Sequence, residues 1–123
     1  MTHRILELSG RRVLLAADAG PVLAVERDAM DLIGDALGER ADWIAVPVAR
    51  LAPAFFDLKS GLAGAVLQKT TNYRLGFAAL GDIPAMALES QALRAFIVES
   101  NRRGEVLFLP GLADLEARLA AAG

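Results

Sequence analysis

The sequence predicts an α/β domain: an N-terminal β-hairpin, then alternating helix and strand, giving a mixed, mostly parallel five-stranded sheet with about four helices. Three observations carry this. Apolar runs of strand length recur at Arg12–Ala17, Trp43–Val48, Tyr73–Leu80 and Glu105–Leu109, and the segments between them show helical spacing instead. Single helices between successive strands imply right-handed crossovers and parallel pairing. Finally, 54% of the 123 residues are hydrophobic and none is cysteine, so a chain that buries roughly two thirds of its unfolded surface needs no disulfide to hold a core. Residues 1–123 are therefore expected to form one domain.

The elements follow in order. His3–Leu8 alternates around Ile5 and Leu6, Ser9-Gly10-Arg11 supplies a turn with Gly10 at a positive φ, and Arg12–Ala17 returns as an apolar strand. Asp18-Ala19-Gly20-Pro21 breaks that strand. Val25, Ala29, Leu32, Ile33 and Ala36 then fall on one face of a helix that Gly38 is expected to stop. The run Trp43–Val48 reads as a strand covered on both faces, with Pro47 at its end. From Ser60 to Asn72, Leu62, Ala63, Val66, Leu67 and Thr70 define a second helix, half-buried on the sheet. Gly61 and Gly64 in its first turns cost helix stability, which suggests close approach to a strand or to a ligand. Tyr73–Leu80 is the next strand. Ser90 is expected to cap a third helix carrying Leu93, Phe96 and Ile97 and ending at Gly104. Glu105–Leu109 is the last strand, and Leu112, Leu115 and Leu119 line an Ala-rich final helix.

Composition narrows the function classes. Thirteen basic against fifteen acidic residues give a formal charge of −2, which supplies no general field for nucleic acid. The first ten residues show neither an apolar signal core nor a membrane-length run, so a cytoplasmic location without a membrane partner is expected. There is no Cys nucleophile, and the one histidine, His3, reads as a strand-edge residue. No dinucleotide fingerprint or phosphate loop occurs, so neither a catalytic residue nor a cofactor is assigned. Asp28, Asp31 and Asp35, with Glu26, share the outer face of the first helix. With no His, Asn or loop oxygen beside them, they are read as a solvated face and not as a metal site.

Ligands of open parallel sheets bind outside the carboxyl ends of the strands. That rule gathers Asp18 after the second strand, Asp57, Lys59, Ser60 and Gly61 after the third, and Asp82 after the fourth. Together Asp18, Asp57 and Asp82 suggest a small-molecule or Mg²⁺–phosphate site. Each also suits an ordinary turn or cap. Phe55 and Phe56, beside them, are expected either to contact a partner or to enter the core.

The segment FFDLKSGLAGAVLQK, followed by NYR, GD and FIVESN, resembles a bacterial family, domain of unknown function 4180, closely from Phe55 through Gly104 and in pattern elsewhere. That resemblance implies no activity. More distantly, an Asp followed by Ser-Gly-Leu at a helix start, within a hairpin-first α/β order, looks like the STAS domains of anti-sigma factor antagonists. Those are regulatory binders in which the serine before Gly-Leu is a phosphorylation switch. The matching position here is Ser60, although the STAS pattern Asp-Ser-Ser-Gly is replaced by Asp57-Leu58-Lys59-Ser60-Gly61. The resemblance implies a STAS-like protein-interaction domain docking through Phe55, Phe56, Asp57, Lys59 and Ser60. A structural or dimeric accessory role, with Ser60 only a helix cap, stands beside it, and the partners expected are an unidentified protein or a second copy of the chain.

Overall fold

The computed structural model describes residues 3–122. Strands β1 (His3–Leu8) and β2 (Arg11–Ala16) form an antiparallel hairpin in register from Leu8 opposite Arg11 to His3 opposite Ala16. Both residues of its two-residue loop lie at positive φ, Ser9 at 51° and Gly10 at 80°, the tight turn whose twist matches that of the strands. Helix α1 (Glu26–Gly38) leads to β3 (Trp43–Pro47), α2 (Leu62–Asn72) to β4 (Gly76–Leu80), and α3 (Gln91–Arg103) to β5 (Val106–Leu109); α4 (Leu112–Ala122) follows. Short 3₁₀ turns fill Val48–Arg50, Pro53–Phe56, Leu58–Ser60 and Ala87–Glu89. The sheet order is β1-β2-β3-β4-β5, with every pairing after the hairpin parallel, as the alternation predicts.

Because each crossover moves one strand further in the same direction, right-handed connections stack α1, α2 and α3 on one face. The strand alternation splits accordingly. Leu14, Ile44, Val46, Phe77, Ala79 and Phe108 pack under Ile33, Val66, Leu67 and Leu93 of those helices. Val13, Trp43, Ala45, Ala78 and Leu107 point the other way and are covered by Leu115 and Leu119 of α4. A single helix covers that second face because its middle is small. Ala45 and Ala78 let α4 approach, and Gly76 makes room for Trp43: a Cβ there would fall within the indole.

Several boundaries differ from the sequence expectation for identifiable reasons. Gly38 remains helical, and α1 ends instead through Arg40 at φ 58°, with Ala41 N–H reaching Ala36 O and Arg40 N–H reaching Leu37 O. α2 ends the same way through Arg74, also at φ 58°. Only α3 uses the expected glycine, Gly104, at φ 85°. β3 stops at Pro47, and Val48–Arg50 turns away. α2 begins at Leu62, because Leu58–Ser60 forms its own 3₁₀ turn and Gly61 takes φ 78° between them.

Candidate functional site

The turn that the sequence singles out is built from the core outward. Phe55 and Phe56 are 1% and 4% exposed. Phe55 stacks on Phe77 of β4 at 6.0 Å between ring centroids and meets Phe56 edge-on at 5.4 Å. Of the two expected roles, both rings take the core one: they anchor the loop under the helices. Ala54, between Pro53 and Phe55, presents its carbonyl to the next turn. There the Ser60 hydroxyl donates to Ala54 O at 2.6 Å and accepts from Leu62 N–H at 3.2 Å. Asp57 Oδ1 accepts from Lys59 N–H at 3.1 Å, and Ser60 N–H reaches Asp57 O at 3.0 Å. Asp57, Lys59, Ser60 and Gly61 are all exposed.

Ser60 is therefore not the N-cap of α2, as expected, since Gly61 occupies that position. Its one hydroxyl ties the Phe-anchored turn to the start of the helix, and it does so at the surface. Gly61 is needed for its positive φ alone. A Cβ added there, or at Gly64, meets nothing within 4 Å, so neither glycine is required by close approach to a strand.

The acids at the carboxyl rim do not converge. Asp18 lines a cleft of about 490 Å³ between the ends of β2 to β5 and the start of α4, with Arg4, Pro47 and Leu80 among its other walls. Neither Asp57 nor Asp82 lines it, and Asp82 sits exposed on the loop after β4. Among the described residues no group of three or more Asp, Glu or His side chains could hold a metal ion, so the joint Mg²⁺ site expected from Asp18, Asp57 and Asp82 is not assembled. Part of that rim is structural: Arg50 donates to Pro21 O at 2.7 Å and to Ala17 O at 2.8 Å, clamping the loop after β2 to the one after β3. On α1, Asp28 accepts from Ala24 and Val25 N–H at 2.9 and 3.0 Å, and these two bonds hold its carboxyl below the usual range. Asp28, read from the sequence as part of a solvated face, is thus a helix cap.

A larger cavity lies at the opposite end of the sheet, where sequence reasoning did not look. It is a half-open cleft of about 580 Å³ at the amino ends of β3 and β4. Trp43, Gly76, Leu107 and Leu119 form its apolar lining, and Arg11, Arg74, Arg118, Asp42 and Glu105 also line it. No carboxylate among the described residues lies within 4.0 Å of any of these three guanidinium groups. Arg118 donates to Asn101 O at 2.7 Å, satisfying a carbonyl in the last turn of α3. The position of Arg74 follows from its left-handed backbone, which residue type does not signal. Asn101, in the ESN motif, donates to Phe108 O at 3.2 Å and accepts from Phe108 N–H at 2.7 Å, so this part of the motif has a folding role.

No helix among the described residues is long and apolar enough to cross a membrane. The model of the family described as domain of unknown function, DUF4180, matches residues 8–119, and the chain belongs to that family. No curated protein and no solved structure matches the chain.

Proposed function

We propose that this chain is a STAS-like, non-enzymatic regulatory domain that binds a protein partner through the exposed turn Asp57–Gly61, with Ser60 as its switch. One observation carries the reading: an exposed hydroxyl makes both side-chain bonds that join the Pro53–Phe56 turn to α2. Phosphoryl transfer from a nucleoside triphosphate would form an Oγ–P bond, releasing the hydroxyl proton and the nucleoside diphosphate. Ser60 would then have no hydrogen to donate, and an ester oxygen would face the Ala54 carbonyl now bonded at 2.6 Å. Loss of that bond costs about 1 kcal/mol net, and the phosphate adds nearly two negative charges beside Asp57. Lys59 and the amino end of α2 offset part of that charge, so the turn rearranges while the Phe-anchored core stays in place. Asp57, Lys59 and Ser60 form the docking face, with Phe55 and Phe56 as its support.

Affinity capture of endogenous partners with wild type and Ser60→Asp tests this. A partner retained by one form and lost by the other is the expected result. Equal recovery of the same partners removes the switch, and recovery of none removes the docking surface.

A second reading is favoured by the amino-end cavity, whose volume suits a small molecule and whose three guanidinium groups have no paired carboxylate among the described residues. The carboxyl ends of α2 and α3 open on the same region, and their partial negative charge takes up part of that arginine charge. An anionic ligand is the chemistry left over. Arg74→Gly removes one guanidinium while relieving a left-handed backbone, so a loss of binding would not be a loss of fold. Thermal-shift titration with inorganic phosphate, pyrophosphate and citrate should stabilise wild type and not the variant; no shift with any of them removes the reading.

A further inference from the structure

The sheet has two edges, and the chain treats them differently. At β5 the outward-facing backbone of Phe108 is occupied: Asn101 of α3 pairs with both its N–H and its C=O, as the next strand would. At β1 nothing comparable occurs. Asp42 N–H bonds Arg12 O, so Arg12 faces β3, and by alternation Arg11, Val13 and Leu15 face β1 and bond Leu8, Leu6 and Arg4. His3, Ile5 and Glu7 therefore aim their backbone groups away from β2. Among the described residues no other backbone or side-chain group bonds to them.

Exposed edges are normally blunted by proline, a bulge, lysine or a covering element. β1 has no proline or lysine, its register with β2 is unbroken over six pairs, and its two exposed charges, Arg4 and Glu7, are opposite in sign. We propose that β1 pairs antiparallel with β1 of a second copy, joining the two sheets across a two-fold axis at Ile5.

Symmetry restricts the register. A two-fold axis perpendicular to the sheet keeps each face on its own side, so facing residues must come from the same face of the strand. The axis can then pass through Ile5 or through Leu6. Through Leu6, Glu7 faces Ile5 of the other copy and Arg4 faces its Leu8, which sets each charge against an apolar side chain. Through Ile5, Arg4 still faces an apolar residue, the other copy's Leu6, but Glu7 faces its His3, and Ile5 faces Ile5 beside the core under the three helices. His3 Nδ1 is buried without a hydrogen-bond partner and lies 3.8 Å from Asp35, so the facing carboxylate gives this ring a second acidic neighbour. In the Ile5 register all three outward-facing residues fall in hydrogen-bonded pairs, a β-augmentation by a second copy. It involves neither Ser60 nor the Asp57–Gly61 turn.

The test uses the full chain. Sedimentation velocity at micromolar concentration should give wild type a mass of twice 13.0 kDa. Because the chain has no cysteine, Ile5→Cys reports the axis directly: facing residues of a hydrogen-bonded pair stand about 5.5 Å apart, within disulfide reach. Oxidised Ile5→Cys should run as a covalent dimer, and Leu6→Cys should not. Ile5→Pro removes an amide that β1 does not use within the chain, and it should give a folded monomer by circular dichroism. A monomeric wild type, or crosslinking through Leu6→Cys in place of Ile5→Cys, overturns the proposal.

Discussion

Gly61 and Gly64 stand three residues apart, both exposed, and an alanine Cβ at either meets nothing within 4 Å. Space therefore does not distinguish them, but backbone does. Gly61 is left-handed at φ 78°, where an L-residue costs about 1–2 kcal/mol; alanine recovers about 0.4–1 kcal/mol of that by restricting the unfolded chain. Gly61→Ala should destabilise by about 0.5–1 kcal/mol net. Gly64 lies in the first turn of α2 with an ordinary helical backbone, so Gly64→Ala should stabilise by about 0.5–1 kcal/mol. At roughly 2.1 cal/mol/K per residue, a chain of 123 residues loses about 0.26 kcal/mol per degree near its midpoint. The two variants should therefore melt about 4–8 °C apart, on opposite sides of wild type, by circular dichroism at 222 nm, a wavelength chosen for helix. Shifts of the same sign would refute the assignment of Gly61 to conformation alone.

Three further outcomes follow from the same geometry. Asp28→Asn should cost about 0.5–1 kcal/mol at neutral pH, because the carboxylate caps two amides. Its folded pKa lies below its unfolded one, so its contribution is present above about pH 4 and is lost as pH falls through the folded value. Chemical denaturation should show the two proteins converging in acid. Asn101→Asp keeps the acceptor for Phe108 N–H but sets an anionic oxygen against Phe108 O, and it should cost about 1–3 kcal/mol, more than Asn101→Ala, by urea unfolding. Gly76→Ala drives a methyl into the indole of Trp43 and should cost about 1–3 kcal/mol, with a shifted emission from the chain's one tryptophan.

The strands and helices were legible because burial on one or both faces writes its period into the residues, as in Trp43–Val46, buried throughout, or Leu62, Val66 and Thr70 along α2. The ends were less so. Arg40 and Arg74 adopt a conformation that sequence associates with glycine, and the nearby Gly38 was the misleading signal. Ser60 looked like a cap because Ser-Gly-Leu opens many helices; only the Ala54 carbonyl, brought back by the Pro53–Phe56 turn, shows that the hydroxyl bridges two turns. Of the site residues, Asp57, Lys59, Ser60 and Gly61 share one exposed turn, as their adjacency requires. Asp18 and Asp82 sit on separate loops, whose paths depend on tertiary contacts such as the Arg50 clamp. The arginine-lined cavity had no local signal at all, since its walls come from β2 to β5, the end of α2 and α4 together.

The claim that Ser60 is a switch reduces to whether its hydroxyl holds the turn. Amide hydrogen exchange across residues 53–65, measured with and without phosphoserine at position 60, tests it most directly. The Asp57, Ser60, Gly61 and Leu62 amides, bonded to Ala54 O, Asp57 O, Leu58 O and Ser60 Oγ, should lose protection on phosphorylation while those of β3 and β4 keep theirs. Unchanged protection in the turn would contradict the account.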